Sequence, residues 1–140
     1  MMYLLDTNVV SELRKVATGR ADPCVKSWSE HLVAESTFLS VITLMELERG
    51  VLLMERRDQQ QGIMLRAWIE QVVLPDYAGR ILPVDTSVAR RCAGLHVPDP
   101  KSYRDSLIAA TALVHSMTVV TRNVRHFDNT GVDLLNPWES

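Results

Sequence analysis

Cysteine is scarce in this chain: Cys24 and Cys92 stand alone, with no C-x-x-C pair. That spacing excludes a disulfide framework and a thiolate zinc site, and leaves two reduced thiols packed as small hydrophobes. Long apolar runs are missing too. No stretch approaches the roughly 18 residues a membrane span needs. "MMYLL" reaches Asp6 too early, and without a basic flank, to be a secretory leader. A cytoplasmic protein is expected. No low-complexity tract or internal repeat interrupts the 140 residues, and 46% hydrophobic against 23% charged residues favours a folded chain over disorder. The length suits a single domain over residues 1–140, enough to bury roughly two-thirds of the unfolded surface. Lysine is also rare, since 12 of the 15 basic residues are arginine. A formal net charge of −2 speaks against binding nucleic acid over the whole surface, but arginine forks suit a local phosphate-facing patch.

What is present is an alternation of short apolar runs with longer stretches of helical period, the pattern of an α/β fold with a parallel sheet. Tyr3 to Leu5, Phe38 to Ile42, Ile81 to Val84, Val119 to Val120 and Val132 to Leu135 read as five strands. Residues near 7–17, 23–34, 43–57, 60–74, 86–96 and 102–116 read as helices. "VPDPKS", with two prolines, must be loop, and Gly62 in "DQQQGI" falls in a turn or early in the next helix. Two helices carry more apolar residues than one buried face requires: Leu44, Met45, Leu47, Val51, Leu52, Leu53 and Met54 in the first, Ile63, Met64, Leu65, Trp68, Ile69, Val72 and Val73 in the second. Either the pair is deeply buried or it offers a groove or dimer face to a partner.

Three acids stand where elements change. Asp6 follows the first strand in "LLDTN", Glu46 lies in "TLMEL" after the second, and Asp105 lies in "YRDS" at the start of the last long helix. Each is a respectable helix cap: Asp6 is a good N-cap type, and Thr43 with Glu46 and Ser102 with Asp105 fit the capping-box pattern. Right-handed βα units nonetheless bring every strand C-terminus and helix N-terminus to one edge of the sheet, where open α/β sheets bind ligands. Asp6, Glu46, Asp105 and the "TRN" of Thr121 to Asn123 share that edge. Carboxylates converging to about 4 Å repel by roughly 4 kcal/mol per pair at an effective dielectric near 20. A helix N-terminus returns only about 0.3 to 1 kcal/mol per acid. A divalent cation would hold such a cluster, and an all-oxygen donor set suits Mg2+ or Mn2+ rather than zinc.

The ordered set of "LLDTN", Glu46 in a Thr-led helix, "DSLIAATA", "VVTRN" and "GVDLLNPW" resembles the PIN-domain ribonucleases over nearly the whole chain. It looks most like the VapC-type toxins, including the FitB-like branch, of type II toxin–antitoxin systems. The resemblance implies a PIN-like fold, a central parallel sheet of about five strands flanked by helices. It implies a metal-dependent endoribonuclease in which Asp6 and Asp105 are the main metal carboxylates and Glu46 completes the pocket directly or through water. Asn8 would brace Asp6, Thr121 would orient the site, and Asn123 would support it. The family often carries a further acid just after the fourth strand; here the stretch reads "TRNVRHF", with His126 near that place, so a single ion is easier to hold than two. His31, His96 and His115 show no pairing above solvent-facing or core roles.

An ion of this kind, Mg2+ or Mn2+, makes water a better nucleophile at phosphorus and offsets charge on the phosphoryl oxygens, giving a 5′-phosphate and a 3′-hydroxyl. Arg104, Arg122 and Arg125 are candidates for substrate phosphates by their nearness in sequence to the acidic edge. The resemblance further implies an RNA substrate, a homodimer, a cognate antitoxin and contact with DNA only through that antitoxin. Two rivals stand beside it. A haloacid-dehalogenase-like phosphohydrolase needs a second acid two residues after the first, where Asn8 stands. A catalytically weak PIN-fold binding module would keep the groove and cut nothing.

Overall fold

The computed structural model describes residues 1–139. Five short strands, β1 (Tyr3–Leu5), β2 (Thr37–Ser40), β3 (Ile81–Leu82), β4 (Thr118–Val120) and β5 (Leu134–Leu135), form a sheet in the order β3-β2-β1-β4-β5. Every pairing is parallel, with Leu4 beside Phe38 on one flank and Val119 on the other. Among the described residues seven helices connect them: α1 (Thr7–Arg14), α2 (Pro23–Glu30), α3 (Val41–Arg57), α4 (Gln59–Trp68), α5 (Leu74–Asp76), α6 (Thr86–Leu95) and α7 (Tyr103–Val114). A π turn, Ile69–Val73, joins α4 to α5. The expected parallel α/β architecture is therefore the one observed.

The period-two alternation of the strands divides the core. Leu5, Leu39 and Val120 pack with Val9 and Val10 of α1, Leu47 and Val51 of α3, and Ile69 and Val73 beyond α4. Leu4 and Val119 face the other way, onto Ile108, Ala109 and Ala112 of α7 together with Met117 and Phe127. Covered on both faces, the strands need no polar alternation, which is why they read as plain apolar runs. Chain order sets the position of the site: β1 to β3 build outward in one direction, and the chain then returns to place β4 on the free side of β1. The crevice between β1 and β4 is the switch point of the sheet.

Several boundaries differ from the sequence expectation. β2 ends at Ser40, whose Oγ accepts a 3.0 Å hydrogen bond from Ile42 N and starts α3 two residues early. Thr43 and Glu46 therefore form no capping box, and Glu46 lies in the second turn of α3 with its carboxylate free for other partners. α1 stops at Arg14 and is followed by a 3-10 turn, Val16–Thr18, that closes on Gly19 at φ 73°. α2 stops at Glu30 rather than near 34, and β3 and β5 have two residues each rather than four.

α3 and α4 make a tight antiparallel hairpin. Asp58 caps α4 by accepting from Gln61 N at 3.2 Å. Gly62 lies within α4, where a Cβ would fall 2.7 Å from Glu55 Cα and 2.6 Å from Glu55 Cγ, so only glycine permits this approach. The hairpin buries Leu47, Val51 and Ile69 but leaves Met45, Leu52, Leu53, Ile63 and Met64 each more than half exposed. This apolar surplus is thus not absorbed by the fold of one chain. Among the described residues no helix is long and apolar enough to cross a membrane.

Candidate active site

Asp6 is the first residue beyond β1, and it is fully buried. Its backbone N donates to Val120 O at 2.9 Å, which ties the end of β1 to the end of β4. A conventional N-cap side chain would reach N2 or N3 of its helix. Asp6 instead accepts from Thr7 N at 2.8 Å through Oδ1, and turns Oδ2 to the hydroxyl of Thr121, which donates at 2.7 Å. Asp6 both starts α1 and points a braced carboxylate into the crevice.

Glu46 and Asp105 meet it there, and the meeting point is Arg104. Its Nη2 donates to Asp6 Oδ1 at 2.5 Å and to Glu46 Oε1 at 2.8 Å. Its Nε donates to Glu46 Oε2 at 2.7 Å, and its Nη1 to Asp105 Oδ1 at 2.8 Å. Thr7, one residue past Asp6, donates its hydroxyl to Glu46 Oε1. Three carboxylates, from the residue after β1, from α3 and from α7, thus surround one guanidinium. The signals for Thr7 and for the central place of Arg104 were not legible from spacing, because neither residue type is an acid and the direction of a side chain next to Asp105 cannot be read from its number.

Electrostatics follow from this arrangement. Partial burial alone would push the Glu46 carboxyl up. Hydrogen bonds from Arg104 and Thr7 and the charges of Arg104 and Arg49 more than offset that and hold it below its ordinary value. For Arg104, burial would weaken the base; hydrogen bonds to Glu46, the charge of Asp6, and hydrogen bonds to Asp6 and Asp105 hold it well above its usual range and firmly protonated. Three carboxylates facing Arg104 and, at the cleft, Arg49 leave the site with one more acid than arginine.

The other expected residues are distributed around this centre. Asn8 accepts from Arg122 N at 3.3 Å rather than touching Asp6, so it braces the loop after β4. Thr121 accepts from Asn123 N at 3.0 Å, which fixes the same loop. Thr7, Asn8, Glu46, Arg49, Gly50, Leu53, Arg104, Asp105, Asn123 and His126 line an open cleft of about 520 Å³. Arg122 lies over the Trp138 ring at 5.2 Å, and neither Arg122 nor Arg125 lines the cleft. Arg49, absent from the sequence candidates, does.

His96 has a partner the sequence did not disclose. Its Nδ1 accepts from Lys101 N at 3.3 Å, so Nε2 carries the proton and donates to Ser106 Oγ at 2.8 Å. Ser106 Oγ in turn donates to Ser102 O at 2.7 Å. The ring packs at 4.9 Å on Tyr103. Together these contacts clamp the loop before α7 to its first turn, the turn that carries Arg104 and Asp105.

The donor set fits a hard divalent cation: carboxylate oxygens only, a deficit of positive charge, and a cleft open to water for the remaining ligands. Among the described residues no three His, Cys, Asp or Glu side chains are gathered closely enough to share an ion as they stand, because the guanidinium occupies the space between them.

Comparison with known proteins agrees with this geometry. The VapC ribonuclease Y4jK of Sinorhizobium fredii is 38% identical over 143 residues, covering 99% of each chain. Toxin FitB of Neisseria gonorrhoeae is 41% identical over 144 residues, covering 98% of this chain and 99% of FitB. A solved structure of FitAB bound to an IR36 DNA fragment superposes with a TM-score of 0.87 at 38% identity, covering 98% of this chain and 96% of that one. The PIN domain family model matches residues 3–132. With the sheet order, the acidic crevice at its switch point and relatives alike over their full length, the chain belongs to the PIN-domain family.

Proposed function

We propose that this protein is a metal-dependent endoribonuclease and the toxin of a type II toxin–antitoxin system, with Asp6, Glu46 and Asp105 as the catalytic carboxylates. The observation that carries this reading is the convergence of these three acids, from distant parts of the chain, on a single cationic centre at the floor of the cleft. Mg2+, with Mn2+ able to substitute, would be held by Asp6 and Asp105 directly and by Glu46 directly or through water. When bound, such an ion lowers the pKa of water and neutralises charge building on the phosphoryl oxygens. The chain's own residues do the rest. Thr121 and Thr7 N fix the Asp6 carboxylate, so little reorganisation accompanies the reaction. Thr7 Oγ1 orients Glu46 in the same way. The loop braced by Asn8, Thr121 and Asn123 presents His126 and Asn123 to the cleft, and Arg49 on its rim supplies positive charge for a substrate phosphate. Arg122 and Arg125, outside the cleft lining, are proposed as contacts for more distant phosphates of the RNA.

The partner reading follows from the apolar surface of α3 and α4. Leu53 lines the acidic cleft and so joins that surface to the active site. We assign the surface to self-association and to a cognate antitoxin, with DNA reached through the antitoxin, in a cytoplasmic protein. The DNA-bound FitAB relative supports this assignment.

The test is incubation of the purified protein with a mixed RNA pool in Mg2+, in Mn2+ and in EDTA, followed by end mapping. Cleavage in either metal, none in EDTA, and fragments with 5′-phosphate and 3′-hydroxyl ends are expected. Fragments ending in a 2′,3′-cyclic phosphate would overturn the hydrolytic mechanism, and an intact pool under every condition would favour the binding-module reading.

A further inference from the structure

We propose that Arg104 is a tethered cation that competes with the divalent ion for the carboxylates of Asp6 and Glu46, so that loading the metal displaces the guanidinium from Asp6 Oδ1 and Glu46 Oε1. The inference rests on the nuclease reading above and concerns how the site is loaded.

The hydrogen bonds of the pocket carry it. A carboxylate oxygen has two lone pairs. Asp6 Oδ1 already accepts from Thr7 N and from Arg104 Nη2. Glu46 Oε1 already accepts from Thr7 Oγ1 and from the same Arg104 Nη2. Both oxygens are saturated, and in each the donor that belongs to no neighbouring backbone or hydroxyl is this one nitrogen. An ion that takes either oxygen as a ligand takes the place of Nη2. The remaining contacts of the fork, Nε with Glu46 Oε2 and Nη1 with Asp105 Oδ1, hold the guanidinium over the centre of the triad.

The side chain is built to leave. Arg104 keeps 30% of its side-chain surface exposed, whereas Asp6 has none, so the fork can swing to the cleft mouth without unpacking the core. Its anchor in the first turn of α7 stays fixed by the clamp of His96 and Ser106. Once an ion holds the carboxylates, the freed guanidinium remains tethered beside the site, where its donors suit the non-bridging oxygens of a phosphodiester. In the metal-free arrangement four of its five N–H donors are committed to the acids, so forked phosphate contact by Arg104 follows metal binding rather than preceding it. A guanidinium that only stabilised the fold would give no competition of this kind.

The experiment is a calorimetric titration of Mn2+ into full-length protein, stripped with EDTA and dialysed, for the wild type, Arg104→Gln and Arg104→Lys, with a melting curve of each metal-free form. Where one bound group changes the affinity for another, the change is commonly about 5- to 150-fold. Arg104→Gln is expected to bind Mn2+ at least about tenfold more tightly than wild type, while its metal-free form melts at a lower temperature because the acids have lost their cation. Arg104→Lys, with its charge kept but the fork gone, is expected to fall between the two, and it serves alone should the glutamine variant not fold without metal. Equal or weaker Mn2+ binding by the variants, with binding by the wild type retained, overturns the competition and leaves the nuclease reading standing. Absence of Mn2+ binding in all three forms overturns both.

Discussion

Thr121 Oγ1 donates a 2.7 Å hydrogen bond to Asp6 Oδ2 across 115 residues of sequence, at the point where β1 and β4 end side by side. Both residues are fully buried, so the bond replaces water that Asp6 cannot reach. Thr121→Val keeps the shape and removes the donor. It is expected to weaken metal binding or turnover by about 10- to 100-fold, as loss of a group that orients a ligand does. Stability is expected to fall by about 1 to 3 kcal/mol for the unsatisfied buried oxygen. Mn2+ titration and urea unfolding of the same variant check the two effects.

Glu46 gives a pH dependence with a definite sign. Its carboxyl is held below the ordinary 4.5 in the folded protein, so the unfolded chain binds the proton more readily. The corresponding stability is fully present above the ordinary value. It is lost as pH falls below 4.5 and through the depressed folded value. The melting temperature of metal-free protein is therefore expected to drop over that acidic window, and Glu46→Gln is expected to flatten the drop. An identical acid profile in the variant would show that the contacts of Glu46 with Arg104 and Thr7 do not persist in solution.

Gly62→Ala tests the α3–α4 hairpin. The added methyl meets the backbone of Glu55 at 2.7 Å, which no rotamer change relieves. The helices must part, at a cost of about 1 to 3 kcal/mol typical of overpacking. A lowered urea midpoint with unchanged slope is the expected result.

The exposed apolar side chains of the same hairpin separate assembly from folding. Ile63→Glu combined with Met64→Glu places two charges on residues that are 60% and 61% exposed, so the fold of one chain loses nothing. Self-association, followed by light scattering over a dilution series, is expected to be abolished while the melting temperature of the monomer is retained.

Much of this was legible in the sequence. The five apolar runs and the helical stretches between them gave the parallel sheet, because strands covered on both faces need no polar alternation. Chain topology alone then brought Asp6, Glu46, Asp105 and Thr121 to one edge. The missing parts depend on side-chain direction. Ser40 rather than Thr43 caps α3: either hydroxyl is a competent cap, and Thr43 lies buried inside the helix. The position of Arg104 was unreadable for a related reason: a long flexible side chain beside an acid points outward or inward according to the charges it meets, and those charges come from residues 98 and 58 positions away. The pairing of His96 with Ser106 likewise exists only once the loop between α6 and α7 has closed.

The most direct measurement of whether the acidic crevice is a metal-dependent nuclease site is RNA cleavage by Asp6→Asn beside wild type, both stripped of metal and then supplied with Mg2+. Asparagine retains an oxygen for Thr7 N, so α1 keeps its start and circular dichroism is expected to be unchanged. Cleavage by wild type that requires Mg2+, and its loss in the folded Asp6→Asn variant, is the predicted result. Equal cleavage by both proteins, or cleavage by wild type that persists in EDTA, would contradict it.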